Sequence, residues 1–223
     1  MQLVIEEFHV RVAEIKAYSD FVANIDKGET KLRTASDSGD AYSPTQQGDL
    51  LRTFKASALL MLYNLMESAV TNAVESIFDE LEKEAISFDI CREEIRLVVL
   101  GNLRQHDPRK LVADLNALAT DIVIKTFRKD EIVSGNVDAR RIRDVAKQYG
   151  FLEPTCRGDR LLAVKSHRND LAHGSKSFAE VGRLYSVSDI QEIECEVIAY
   201  LTEMLTNVAE YLTTKGYLLD RAS

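Results

Sequence analysis

The chain has 223 residues, 45% hydrophobic and 29% charged, which is enough apolar material for a core and excludes a disordered composition. Its formal net charge of −8 argues against broad, sequence-blind nucleic-acid binding, which needs cations against phosphates, but leaves room for a local basic cleft. Three scattered cysteines, Cys91, Cys156 and Cys195, fit neither a disulfide framework nor a zinc spacing.

The start, MQLVIEEFHVRV, lacks the basic segment and apolar run of a secretory signal. No apolar stretch approaches the roughly 18 residues of a membrane span. The expectation is a soluble cytoplasmic protein with no membrane contact. Only three prolines and ten glycines favour long helices.

Residues 2–26 keep a helical beat through Leu3, Phe8, Val12, Ile15, Phe21 or Val22, and Ile25. Residues 27–49 are polar and turn-rich and read as a loop, long enough that a short helical piece inside it is compatible with the pattern. From Leu50 to about Ser87 runs the strongest helical signal. Leu59, Leu62, Tyr63, Met66, Ala69, Val70, Ala73, Ile77 and Leu81 define a wide apolar face, the central strut of a bundle.

A helix is predicted over 89–105, with Ile95, Val98, Val99 and Leu103 inward. Another is predicted over 110–127, after Asp107 as cap and Pro108 in the first turn. Residues 134–136 read as a turn. Asp138 then caps ARRIRDVAKQYG, which Gly150 terminates. Arg140, Arg141, Arg143 and Lys147 make this the most basic patch of the chain, either a solvated face or an edge for RNA phosphates. The remainder reads as a helix over 160–173, a loop with a short turn over 174–187, and a closing helix over 189–217. No internal repeat or strand pattern stands out, so one all-α domain spanning 1–223 is the predicted fold class.

The segment KSHRNDLAHG (165–174) is the chemically dense part. On a helix, Leu161, Val164, Leu171 and Ala172 would form the apolar stripe, and Arg168 falls inside it. A guanidinium keeps its proton, so there it must be paired, hydrated or in a cleft. Lys165, Asn169 and His173 share the neighbouring face. An imidazole titrates near neutrality and can move a proton, while an arginine can bridge two phosphoryl oxygens. The same residues also suit a bland role, with Arg168 paired to an acid and His173 closing the helix.

On the strut, Glu67 sits at the edge of the apolar face and needs a partner or solvent. Arg168 would be one such partner, and Asn64 would lie near the motif. Asp170 fits a local hydrogen-bonding role or a surface position rather than that of a metal ligand. One carboxylate beside one histidine is not a metal site, and neither a metal nor a cofactor is expected.

RNDLAHG (Arg168, Asn169, His173) resembles the signature of HEPN-superfamily nucleases, an arginine, a polar residue and a histidine a few positions on. FKASALLMLYNLMESAV (54–70), SGNVDARRIRDVAKQYGF (134–151) and SFAEVGRLYS (177–186) are similar to one bacterial branch of that superfamily. The resemblance implies an antiparallel helical bundle that dimerises so that two Arg–His motifs share a cleft. It implies a metal-independent endoribonuclease that leaves 2′,3′-cyclic phosphate ends and serves as a toxin or in phage defence, with an antitoxin or another defence-system component as partner. It equally admits an inactive member that binds nucleotide or RNA. A helical interaction protein unrelated to RNA is the reading outside the family.

Overall fold

The computed structural model describes residues 1–33, 42–105, 123–124, 127, 132 and 136–219. The predicted helix over 110–127, its Pro108 start and most of the 134–136 turn therefore lie outside the described residues, apart from 123, 124, 127 and 136. Among the described residues there are seven α-helices and no strand, so the chain is all-α. They are α1 (Gln2–Asp26), α2 (Pro44–Lys83), α3 (Glu93–Gln105), α4 (Ala139–Tyr149), α5 (Leu161–Ala172), α6 (Phe178–Arg183) and α7 (Val187–Thr213), with a 3₁₀ turn at Phe88–Ile90. No helix among them is long and apolar enough to cross a membrane.

Several helix ends differ from those predicted, each for a local reason. α2 begins inside the predicted loop because Ser43 and Gln46 form a reciprocal cap. The Ser43 amide and hydroxyl donate to Gln46 Oε1 at 3.0 Å, and the Gln46 amide donates back to Ser43 Oγ at 3.3 Å. Pro44 then occupies the first helical position, where its missing N–H costs nothing.

The predicted loop over 174–187 contains α6, started by a capping box between Ser177 and Glu180. α7 starts at Val187, two residues before the predicted start, because Ser186 caps it and Asp189 reaches back to the Ser186 amide at 2.8 Å. It ends at Thr213, with Lys215 at φ 55° and the Gly216 amide turned back to Tyr211 O at 2.8 Å. On α1, Leu3 points outward at 74% exposure, and Phe8, Val12, Ile15, Val22 and Ile25 carry the buried face.

The chain forms two compact units. The first comprises Met1–Ile5, Glu67–Cys156 and Tyr200–Ser223. In it α3 packs on α4. The Asp138 side chain accepts from the Arg141 amide at 2.8 Å, and Gly150 closes α4 in the left-handed region, both as the sequence predicts.

Arg92 ties this unit together. It makes a two-pronged pair with Glu94 at 2.7 and 2.8 Å and donates from Nη1 to Gly150 O at 2.8 Å and Gly216 O at 3.0 Å. Tyr211 donates to Tyr149 O at 2.7 Å, and its burial raises the phenol's pKa well above the usual range. Glu203 accepts from the Thr155 hydroxyl and from the Thr155 and Cys156 amides. The Cys156 side chain first, and then these bonds to the charged form, hold its pKa down at about 2.

The second unit comprises Glu6–Met66 and Arg157–Ala199. Here the strut's buried face continues through Leu59, Leu62, Tyr63 and Met66, each fully buried. Val22 and Ala23 of α1 and Val187 of α7 form a small cluster covered by Tyr18, Leu51 and Phe54. Tyr18 also donates to Phe54 O at 3.0 Å. α6 lies so close to α2 that a Cβ on Gly182 would stand 1.9 Å from Arg52 O, which leaves room for glycine alone.

Candidate functional site

α5 belongs to the second unit, and its two ends are fixed by different means. At its start the Arg160 side chain offers no cap. Instead Glu196 of α7 accepts the Arg160 amide at 2.8 Å, and the Arg160 guanidinium pairs with Glu192 and, at 3.6 Å, with Glu196. A carboxylate at a helix N-terminus also meets the favourable end of the helix dipole. At the other end Gly174 adopts φ 68°, and the Ser175 amide returns to Asp170 O at 2.9 Å. That left-handed turn stops the helix directly after His173, which caps it with its own amide bonded to Asn169 O at 3.0 Å.

The buried stripe of α5 is Leu161, Val164 and His167. This corrects the predicted stripe, in which Leu171 and Ala172 took part. Leu171 is half-buried and Ala172 exposed, because the helix ends at Ala172.

His167 is the residue the sequence reading missed, although its three-residue step from Val164 and six-residue step from Leu161 were visible. Its Nε2 lies 2.8 Å from the Tyr185 hydroxyl, and the two rings meet edge to face. Its buried Nδ1 has no hydrogen-bond partner among the described residues, with Asp170 Oδ2 at 3.6 Å, too long for a bond. Burial, aided by the charge of Lys176, pushes the His167 pKa down, against the upward pull of Asp170. Asp170 is held by Lys176 at 2.7 Å, and that bond lowers its own pKa. The Asp170 side chain thus bonds to a residue six positions on in the chain.

Arg168 is half-buried, with its guanidinium over the ring of the fully buried Tyr63, 4.7 Å from the centroid. Its Nη1 donates to Asn169 Oδ1 at 3.1 Å. Among the described residues of this unit no carboxylate lies within ion-pairing distance of it. His173, exposed at the helix end, and the Asn169 amide nitrogen make no side-chain hydrogen bond there either. One end of one helix therefore carries a fixed planar cation, an amide and an imidazole with most of their hydrogen-bonding capacity open.

The other candidates are placed differently. Lys165 is half-buried and engaged in a contact of its own. Asn64 is exposed on α2 and lines a shallow groove of about 210 Å³ with Met61, Leu65 and, from α1, Arg11, Glu14 and Ile15. Glu67, half-buried, is the first residue of its segment of the other unit.

The basic helix α4 also belongs to that unit. Arg140 is exposed. Arg141 donates to Ile132 O at 3.0 Å, Arg143 to the Tyr200 hydroxyl at 3.4 Å, and Lys147 pairs with Glu153 at 3.4 Å. Among the described residues no group of three or more His, Cys, Asp or Glu side chains is arranged to hold a metal ion.

The family model that matches this chain is that of the HEPN_MAE_28990-like HEPN family, over residues 1–217. No curated protein and no solved structure matches it.

Proposed function

Because the chain belongs to the HEPN_MAE_28990-like HEPN family, whose membership suggests a nuclease or RNA-related role, we propose that it is an endoribonuclease acting through Arg168, Asn169 and His173. The observation that carries this reading is the half-buried Arg168, fixed on Tyr63 without a carboxylate of its own unit, at the same helix end as an exposed histidine.

In the proposed reaction the neutral His173 imidazole takes the proton of a ribose 2′-hydroxyl. The freed oxygen attacks the adjacent phosphorus, a new P–O2′ bond forms and the P–O5′ bond breaks. A proton returns to the leaving 5′-oxygen, giving a 2′,3′-cyclic phosphate and a 5′-hydroxyl. The planar fork of Arg168 holds the non-bridging oxygens as charge builds on them. Asn169 orients the guanidinium through Oδ1, which leaves its amide nitrogen free to donate.

Base and acid are both needed. A two-fold dimer that brings a second His173 to the same cleft supplies them from two copies of one residue. The chemistry calls on no metal and no cofactor. The net charge of −8 favours a narrow substrate, such as a structured RNA loop, over indiscriminate binding. A role as a toxin or in phage defence, restrained by a neutralising partner, is consistent with such an activity.

The test compares wild type with His173→Ala on defined structured RNAs, with a thermal melt of each. The variant should melt like wild type and cleave about 10²–10⁴-fold more slowly. Unchanged cleavage by a folded variant would refute the assignment.

A further inference from the structure

Tyr63 lies on the buried face of α2 with Leu59, Leu62 and Met66, all fully buried, so its ring is locked by packing. Arg168 rests on that ring at 4.7 Å. An aromatic face and the Asn169 amide oxygen are both neutral supports. They restrain a long, flexible side chain without themselves neutralising its positive charge. A carboxylate in the same place would hold the guanidinium equally well, but it would compete with an incoming phosphate for the same N–H groups.

We infer that Tyr63 is a positioning residue for the reaction proposed above, on which this inference rests: its ring holds the Arg168 guanidinium by the face and leaves the donor edge open to a phosphodiester. The ring carries the role and the hydroxyl does not. Because the developing charge is greatest in the transition state, the loss of the platform falls on turnover more than on substrate binding.

The experiment has two arms. In the first, RNA cleavage by Tyr63→Phe, Tyr63→Leu and Tyr63→Met is compared with wild type. The phenylalanine variant should keep kcat within about twofold, while the two ringless variants should lose about tenfold in kcat with KM moving less than about threefold. Methionine fills the site flexibly and covers the case in which leucine fails to fold. In the second arm, the Arg168 δ-proton shifts are read by NMR in the wild-type protein, where ring current should move them upfield of free arginine.

A phenylalanine variant as impaired as the leucine one, ringless variants with wild-type kcat, or free-arginine shifts in the wild type would each overturn the inference. If the wild type cleaves no RNA, the function reading fails while the NMR arm still decides the platform.

Discussion

Arg92 and Arg168 are both half-buried, and each guanidinium lies over a tyrosine ring, 5.8 Å from Tyr211 in the first case and 4.7 Å from Tyr63 in the second. Their edges differ. Arg92 has Nε, Nη1 and Nη2 all engaged, with Glu94 and two loop carbonyls, and the Glu94 bond raises its pKa. Among the described residues of its own unit Arg168 has one bond, to a neutral amide next to it in the chain. An arginine that serves the fold brings distant pieces of backbone together and is neutralised while doing so. In the proposed function Arg168, held by its face on Tyr63, keeps its donor edge for the ligand.

That contrast predicts opposite consequences of the same truncation. Arg168→Ala should lower RNA cleavage by two or more orders of magnitude, roughly the size of an electrostatic contact to the transition state, and leave the melting temperature nearly unmoved. Arg92→Ala should cost about 2–4 kcal/mol in denaturant unfolding, since it orphans Glu94 and the Gly150 and Gly216 carbonyls, and it should leave the turnover of the folded fraction close to wild type. A stable Arg92→Ala protein, or an unstable Arg168→Ala one, would erase the distinction.

A smaller effect is expected at Gly182, in the unit that carries the motif. Gly182→Ala forces a Cβ to within 1.9 Å of Arg52 O, so the α6 and α2 backbones must separate, at about 1–3 kcal/mol in chemical denaturation.

The smallest effect concerns pH. Glu203 has its folded pKa depressed from 4.5 to about 2, so its contribution to stability is present above the unfolded value and is lost as pH falls through that interval. Glu203→Gln should flatten the stability profile between those limits, and the profile above them should keep its shape. An equally steep acid limb in the variant would show that other carboxylates dominate it.

Much of the fold was legible because the signals were local. The nine strut residues Leu59, Leu62, Tyr63, Met66, Ala69, Val70, Ala73, Ile77 and Leu81 are all buried, and the cap at Asp138 and the terminator at Gly150 fall where side-chain chemistry puts them. The missed helix starts were local too. Ser43–Gln46, Ser177–Glu180 and Ser186–Asp189 are reciprocal caps hidden in polar stretches, where composition alone favours a loop.

The site was half legible. The spacing of Arg168, Asn169 and His173 is in the sequence, and so is the oddity of a cation near an apolar stripe. Tyr63 could be read only as a core residue, since its partner is remote in the chain. His167 was overlooked because a histidine was not counted as part of the buried stripe, although burial beside Tyr185 pushes its pKa down and so favours the uncharged ring.

The central claim is tested most directly by incubating the purified wild-type protein with matched RNA and DNA oligonucleotides in EDTA and identifying the chemistry of any new ends. The account predicts cleavage of the RNA alone, with 2′,3′-cyclic phosphate on one fragment and 5′-hydroxyl on the other. Cleavage of DNA, or activity that vanishes in EDTA and returns with magnesium, would contradict it.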